Sequence, residues 1–144
     1  LSPEHIRAIV GDLCSNPPSI PTADVPTNAF DIAAVGAGFH HFDDTELATK
    51  RLVECLKPGG VLLIIDFLFD DGKHEAVPEE AKHTVKVVGF DKPTMRQLFE
   101  EAGLVDFDLS VMPGTVVLEV ERKDGEIAKF ERTVFFARGK KPSA

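Results

Sequence analysis

The sequence predicts an α/β fold: parallel strands with an antiparallel C-terminal edge, helices on both faces, and one domain spanning residues 1–144. Three observations lead there. Short apolar runs alternate with amphipathic helical stretches through the first two thirds of the chain. Val61 to Phe67 reads VLLIIDF, a nearly continuous apolar strand of the kind buried on both faces of a parallel sheet. Near the end, two strand-like stretches flank the turn Lys123-Asp124-Gly125, which makes that edge antiparallel.

Each element follows from local chemistry. Ile6 to Val10 is a short apolar run ending at Gly11-Asp12 and predicts a buried strand. Ser15 to Asn28 carries Pro17, Pro18, Pro21 and Pro26 without apolar periodicity, so it predicts an irregular loop. Phe30 to Val35, FDIAAV, predicts a second strand that stops at Gly36-Ala37-Gly38. Asp43 or Asp44 can cap the following helix by accepting bonds from its free amides. Along it Leu47, Ala48, Leu52, Cys55 and Leu56 form one apolar stripe, and Pro58-Gly59-Gly60 ends it in a tight turn. A polar stretch, Asp70 to His83, follows the VLLIIDF strand. Asp91 caps a second helix, with Pro93 in its first turn; Met95, Leu98, Phe99 and Ala102 share one face, and Gly103 stops it. Val105, Phe107, Leu109 and Val111 alternate with polar residues as a half-buried strand. Val116 to Arg122 and Phe130 to Arg138 complete the chain as the two arms of a hairpin.

Composition narrows the function classes. A net charge of −8 with scattered Lys and Arg would repel a nucleic-acid backbone, so no polynucleotide partner is expected. The longest apolar run, Val61 to Ile65, is too short to span a bilayer, and no membrane association or signal peptide is expected. Cys14 and Cys55 suit a reducing cytoplasm as packing residues; a reactive thiol is the alternative. His40, His41, His74, His83 and Asp66 lack metal-ligand spacing, and no metal is expected.

Phe30 to Phe67, FDIAAVGAGFHHFDDTELATKRLVECLKPGGVLLIIDF, resembles the middle of a class I, Rossmann-like S-adenosylmethionine-dependent methyltransferase. The shared pattern is an FD-led fourth strand, an HH loop, a helix, LKPGG, and a fifth strand ending in Asp. GFDKPTMRQLFEEAGLVDF is similar to that family's next helix and sixth strand, and RTVFFARGKK to its final antiparallel strand. The resemblance implies a sheet in the order 3-2-1-4-5-7-6, S-adenosylmethionine as cofactor, and methyl transfer to a small-molecule acceptor. It covers most of the chain.

Carried over residue by residue, Gly11-Asp12-Leu13 matches the turn after the third strand, where an acidic residue accepts a hydrogen bond from the adenine amino group. Asp12, an acceptor at a strand end, suits that role; capping of local amides is the competing reading. Gly36, Ala37 and Gly38 match the loop beneath the methionine portion, where small residues let backbone approach a ligand; a plain turn would look the same. His40 and His41 match residues near the transfer site. Imidazole, with an ordinary pKa of about 6.5, can take a proton from a substrate hydroxyl. An HH pair can also be structural, leading into the helix.

The departure from the family is the glycine-rich turn and the ribose-binding acid of the first two strands, which lie nowhere in residues 1–144. With Leu1 rather than Met in front, the expectation is the C-terminal part of an enzyme, inactive alone and poor at binding cofactor. One edge of the Phe30 to Val35 strand would then be bare. Either Ile6 to Val10 moves in to pair with it, or two copies share edges as a homodimer. Two rival readings stand beside this one. One is a non-catalytic scaffold or regulatory subunit that completes its sheet with a partner. The other is a NAD-binding protein, in which His41 would occupy the third glycine position of G-x-G-x-x-G. The acceptor pocket is expected from the Asp70 to His83 loop and from N-terminal additions.

Overall fold

A computed structural model describes residues 6–20, 24–69, 83 and 85–143. The elements in chain order are strand β1 (Phe30–Gly36), helix α1 (Thr45–Cys55), strand β2 (Leu56–Phe67), helix α2 (Lys92–Glu101), and strands β3 (Val105–Val111), β4 (Val116–Glu121), β5 (Ile127–Arg132) and β6 (Val134–Lys140). A one-turn 3₁₀ helix, Phe39–His41, lies between β1 and α1. Four strands form the main sheet in the order β1-β2-β6-β3, and β4-β5 form a separate two-stranded ribbon. β1 and β2 are parallel, whereas β6 runs antiparallel to both β2 and β3.

Both helices start as the capping residues predict. Asp44 accepts a hydrogen bond from the Leu47 amide at 2.9 Å and Asp91 one from the Thr94 amide at 2.8 Å. Asp43 instead pairs with Lys86. At the other end of α1, Lys141 Nζ donates to the Val53 and Leu56 carbonyls, placing a cation at the helix C-terminus. The predicted turn at LKPGG is a bulge inside β2. Pairing jumps from Phe30–Leu56 to Ile32–Val61, and the intervening residues loop out. Glycine is required there: a Cβ on Gly60 would sit 2.9 Å from the Lys57 carbonyl oxygen and 3.1 Å from that of Phe30.

The core lies on one face of the sheet. Leu62 and Ile64 of β2, Phe135 and Ala137 of β6, and Leu109 of β3 meet Val53 of α1 and Met95, Leu98 and Phe99 of α2. Ala33 and Val35 of β1 pack against the same cluster. Both described helices therefore cover a single face. For that reason the VLLIIDF strand is buried on one side only: Leu62, Ile64 and Asp66 are inside, and Val61, Leu63, Ile65 and Phe67 are half-buried.

Two predicted strands are corrected. Ile6 to Val10 forms no strand and does not pair with β1; all five residues are exposed, Val10 at 94%. An apolar run becomes a buried strand only where a ladder and a covered face are offered, and here neither reaches it. Phe130 to Arg138 is interrupted at Thr133, so its first part pairs with β4 and its second enters the main sheet between β2 and β3. Gly139 permits that insertion, since a Cβ there would meet the Phe99 ring at 2.5 Å.

Candidate functional site at the carboxyl end of β1

The parallel strands β1 and β2 end side by side, and the loop leaving β1 passes over the end of β2. Ala37, at φ +51°, donates its amide to the Ile65 carbonyl at 2.8 Å, which turns the chain across the neighbouring strand. The 3₁₀ turn that follows drives Phe39 into the core, where it is fully buried against Phe42 and Phe90. That anchor fixes the next residue, His40.

His40 is buried together with Asp66, the last acidic residue of the apolar strand. Asp66 accepts three hydrogen bonds: from His40 Nδ1 at 2.7 Å, from the His40 amide at 3.0 Å and from the Phe67 amide at 2.7 Å. A carboxylate removed from water is tolerated only when its lone pairs are met in this way. The His40 ring lies 5.1 Å from Phe67 and 4.0 Å from the ring of His41, which is exposed. The His40 carbonyl also receives the amides of Lys86 at 3.0 Å and Val87 at 3.3 Å. One residue thus ties the β1 loop both to the end of β2 and to the chain returning toward α2.

Upstream of this pair the loop is open. A Cβ on Gly36 would meet nothing within 4 Å, and one on Gly38 only the Gly36 carbonyl at 3.7 Å. A ligand can therefore lie directly against this backbone, as the methionine end of a nucleoside-thioether cofactor would require. Asp12 sits in an exposed turn, where Oδ1 accepts the Cys14 amide at 2.7 Å. Local amide capping is thus present, and Oδ2 carries no hydrogen bond among the described residues. Cys14 Sγ reaches the carbonyl of Asp44, the α1 cap, at 3.6 Å. The turn therefore stands at the α1 N-terminus, on the carboxyl-end side of the sheet. Leu13 is half-buried, with its carbonyl bound to Arg51.

The structure brings His40, His41 and Gly36 to Gly38 together and adds Asp66, whose pairing with His40 sequence reasoning did not see. The available signal was an acidic residue closing an otherwise apolar strand, which needs buried partners. His74 and most of the Asp70 to His83 loop lie outside the described residues. Among the described residues, no group of three or more His, Cys, Asp or Glu could hold a metal ion, and no helix is long and apolar enough to cross a membrane. Cys55 is not poised as a nucleophile: burial, and then Glu54, push its thiol pKa up. A free carboxylate oxygen on Asp12 and the open loop at Gly36 to Gly38 would fit an amino group and a thioether chain such as S-adenosylmethionine carries.

Comparison with known proteins agrees with this geometry. The family described as a methyltransferase domain matches residues 3–64. The ubiquinone/menaquinone biosynthesis C-methyltransferase UbiE of Francisella tularensis subsp. novicida is 25% identical over 114 residues, covering 64% of this chain and 46% of that protein. The chain therefore spans about half the length of the curated relatives it matches. Among solved structures, the YcgJ protein of Bacillus subtilis superposes with a TM-score of 0.58 at 13% identity, over 83% of this chain and 67% of that one. The Haemonchus contortus phosphoethanolamine N-methyltransferase 2, solved with phosphomonomethylethanolamine and S-adenosylhomocysteine, gives 0.54 at 17% identity, over 81% and 34%. An antiparallel strand between two parallel ones does not belong to an all-parallel dinucleotide-binding sheet. The chain thus has the fold of the class I, Rossmann-like S-adenosylmethionine-dependent methyltransferases and resembles their methyltransferase domain over residues 3–64, its β1-β2-β6-β3 order matching the 4-5-7-6 places of that sheet.

Proposed function

We propose that the protein serves methyl transfer from S-adenosylmethionine to a small-molecule acceptor, residues 1–144 being the C-terminal part of the working enzyme and nearly inactive alone. The observation that carries this reading is the adjacency, past the carboxyl end of β1, of open backbone at Gly36 to Gly38 and the buried Asp66–His40 pair. Ligands of open α/β sheets bind at such strand ends. The glycine-rich turn and the ribose acid would come from sequence outside these residues, a view supported by the length of the relatives.

When bound, S-adenosylmethionine supplies an electrophilic methyl group on a cationic sulfur. Asp12 Oδ2 would be the acceptor for the adenine amino group, with Leu13 next to it in the turn. Gly36, Ala37 and Gly38 admit the methionine portion against their backbone. Asp66 accepts from His40 Nδ1, which leaves Nε2 as the ring's acceptor atom for a substrate proton. His41, exposed beside it, would be available to the acceptor. A small acceptor is favoured by the net charge of −8, which disfavours polynucleotides, and by the relatives, one named for quinone biosynthesis and one solved with phosphomonomethylethanolamine.

Labelled methyl transfer by the protein isolated from its own cells tests the reading. Label in small organic products supports it, and label in polypeptide or RNA contradicts it. Calorimetry on residues 1–144 should show S-adenosylmethionine binding weaker than micromolar; micromolar affinity would overturn the shared-site view. A second reading, a non-catalytic scaffold that completes its sheet with a partner or a second copy, draws on the bare edge of β1, where Ile32 is 66% exposed. Intact mass and the reading frame upstream of Leu1 separate the two. A natural start near Leu1 favours the scaffold, and an upstream glycine-rich turn favours the enzyme.

A further inference from the structure

We infer that Arg51 is a positioning residue for the adenine end of the cofactor site, an inference that rests on the assignment of Asp12 and Leu13 proposed above. Arg51 lies on α1 and is 9% exposed. Among the described residues its guanidinium meets no carboxylate. Nη1 donates to the Leu13 carbonyl at 2.6 Å and also to the Ser15 carbonyl. Those two acceptors bracket the turn that presents Asp12.

The turn has little else to hold it. Residues 6–20 contain no helix or strand. Within the turn, Asp12 Oδ1 takes the Cys14 amide, Ser15 Oγ donates to the Asp12 carbonyl at 3.3 Å, and the Ser19 amide donates to Ser15 Oγ at 2.9 Å. These bonds shape the turn but do not locate it. Among the described residues, the hydrogen bonds that tie the turn to α1 are those of Arg51 and, more weakly, that of Cys14 Sγ to the Asp44 carbonyl; Pro18 and Ile20 pack further along the helix, near Glu54 and Cys55. Because α1 packs on the sheet that carries Gly36 to Gly38, Arg51 sets where Asp12 stands relative to the methionine loop. A hydrogen bond from a charged donor is the stronger kind, and burying the guanidinium among carbonyls makes the arrangement directional.

The test compares the native chain with Arg51→Met, Arg51→Lys and Asp12→Ala. Amide exchange and S-adenosylhomocysteine affinity are both read by NMR at millimolar ligand. Loss of the two charged bonds should speed exchange at Cys14 and Ser19 about tenfold in Arg51→Met and weaken S-adenosylhomocysteine by about tenfold. Ile64 and Ala137 should keep their native exchange, and Arg51→Lys should recover part of both effects. Native exchange and native affinity in Arg51→Met would overturn the inference. Should that variant fail to fold, Arg51→Lys alone decides: behaviour identical to the native chain contradicts the positioning role. If Asp12→Ala weakens the ligand and Arg51→Met does not, only the role of Arg51 falls. If Asp12→Ala has no effect, the adenine assignment itself falls.

Discussion

The main sheet and the N-terminal segment are held by different kinds of interaction. In the sheet, every strand has a ladder partner, and apolar residues from four strands and two helices close one core. In residues 6–20, apolar side chains such as Ile6, Ile9 and Val10 are exposed, and position depends on a few side-chain bonds, chiefly those of Arg51. The difference teaches that apolar patterning builds an element only where a partner face exists. Without one, buried polar contacts decide where the chain goes.

Substitutions can break or sharpen that contrast. Leu62→Ala, in the centre of the core and fully buried, should lower stability by about 3–5 kcal/mol in a denaturant titration. Val10→Ser, a larger chemical change in the N-terminal segment, should stay within about 0.5 kcal/mol. Comparable losses from both would mean that the segment belongs to the core. Asp66→Ala strands the His40 ring and two amides without their acceptor, and a loss of about 1–3 kcal/mol is expected by thermal melting.

A smaller loss than at Leu62 or Asp66 is expected at the α2 cap. Asp91→Ala should cost about 1 kcal/mol at neutral pH. Hydrogen bonds from Thr94 hold the Asp91 carboxyl below its ordinary 3.8. A depressed pKa in the folded state means that the cap contributes fully above the unfolded value and loses its contribution as pH falls through the folded one. The native protein's advantage over Asp91→Ala should therefore be constant near neutrality and shrink only below about pH 4. An advantage that grew on acidification would contradict the cap.

Much of the sheet was legible because its signals are local. Asp44 and Asp91 mark helix starts, LKPGG marks where the helix gives way (as a bulge in β2 rather than the expected turn), and VLLIID marks the central strand. The resemblance supplied the strand order. What could not be read depended on distant partners. The interruption at Thr133 reflects competition between β4 and β2 for one apolar stretch, which no periodicity reports. The Asp66–His40 pair spans 26 residues and shows in sequence only as an acid ending an apolar run. Arg51 carries no signal in sequence, because the carbonyls it binds lie 36 and 38 residues away in a segment without apolar pattern.

The central claim is that the Asp12 turn and the Gly36 to Gly38 loop are two ends of one nucleoside-binding site. Titrating the ¹⁵N-labelled chain with S-adenosylhomocysteine tests it most directly. Leu13, Gly36, Ala37 and Gly38 should shift together along one saturation curve. Shifts confined to one of the two groups, or centred instead on the β4-β5 ribbon, would contradict it.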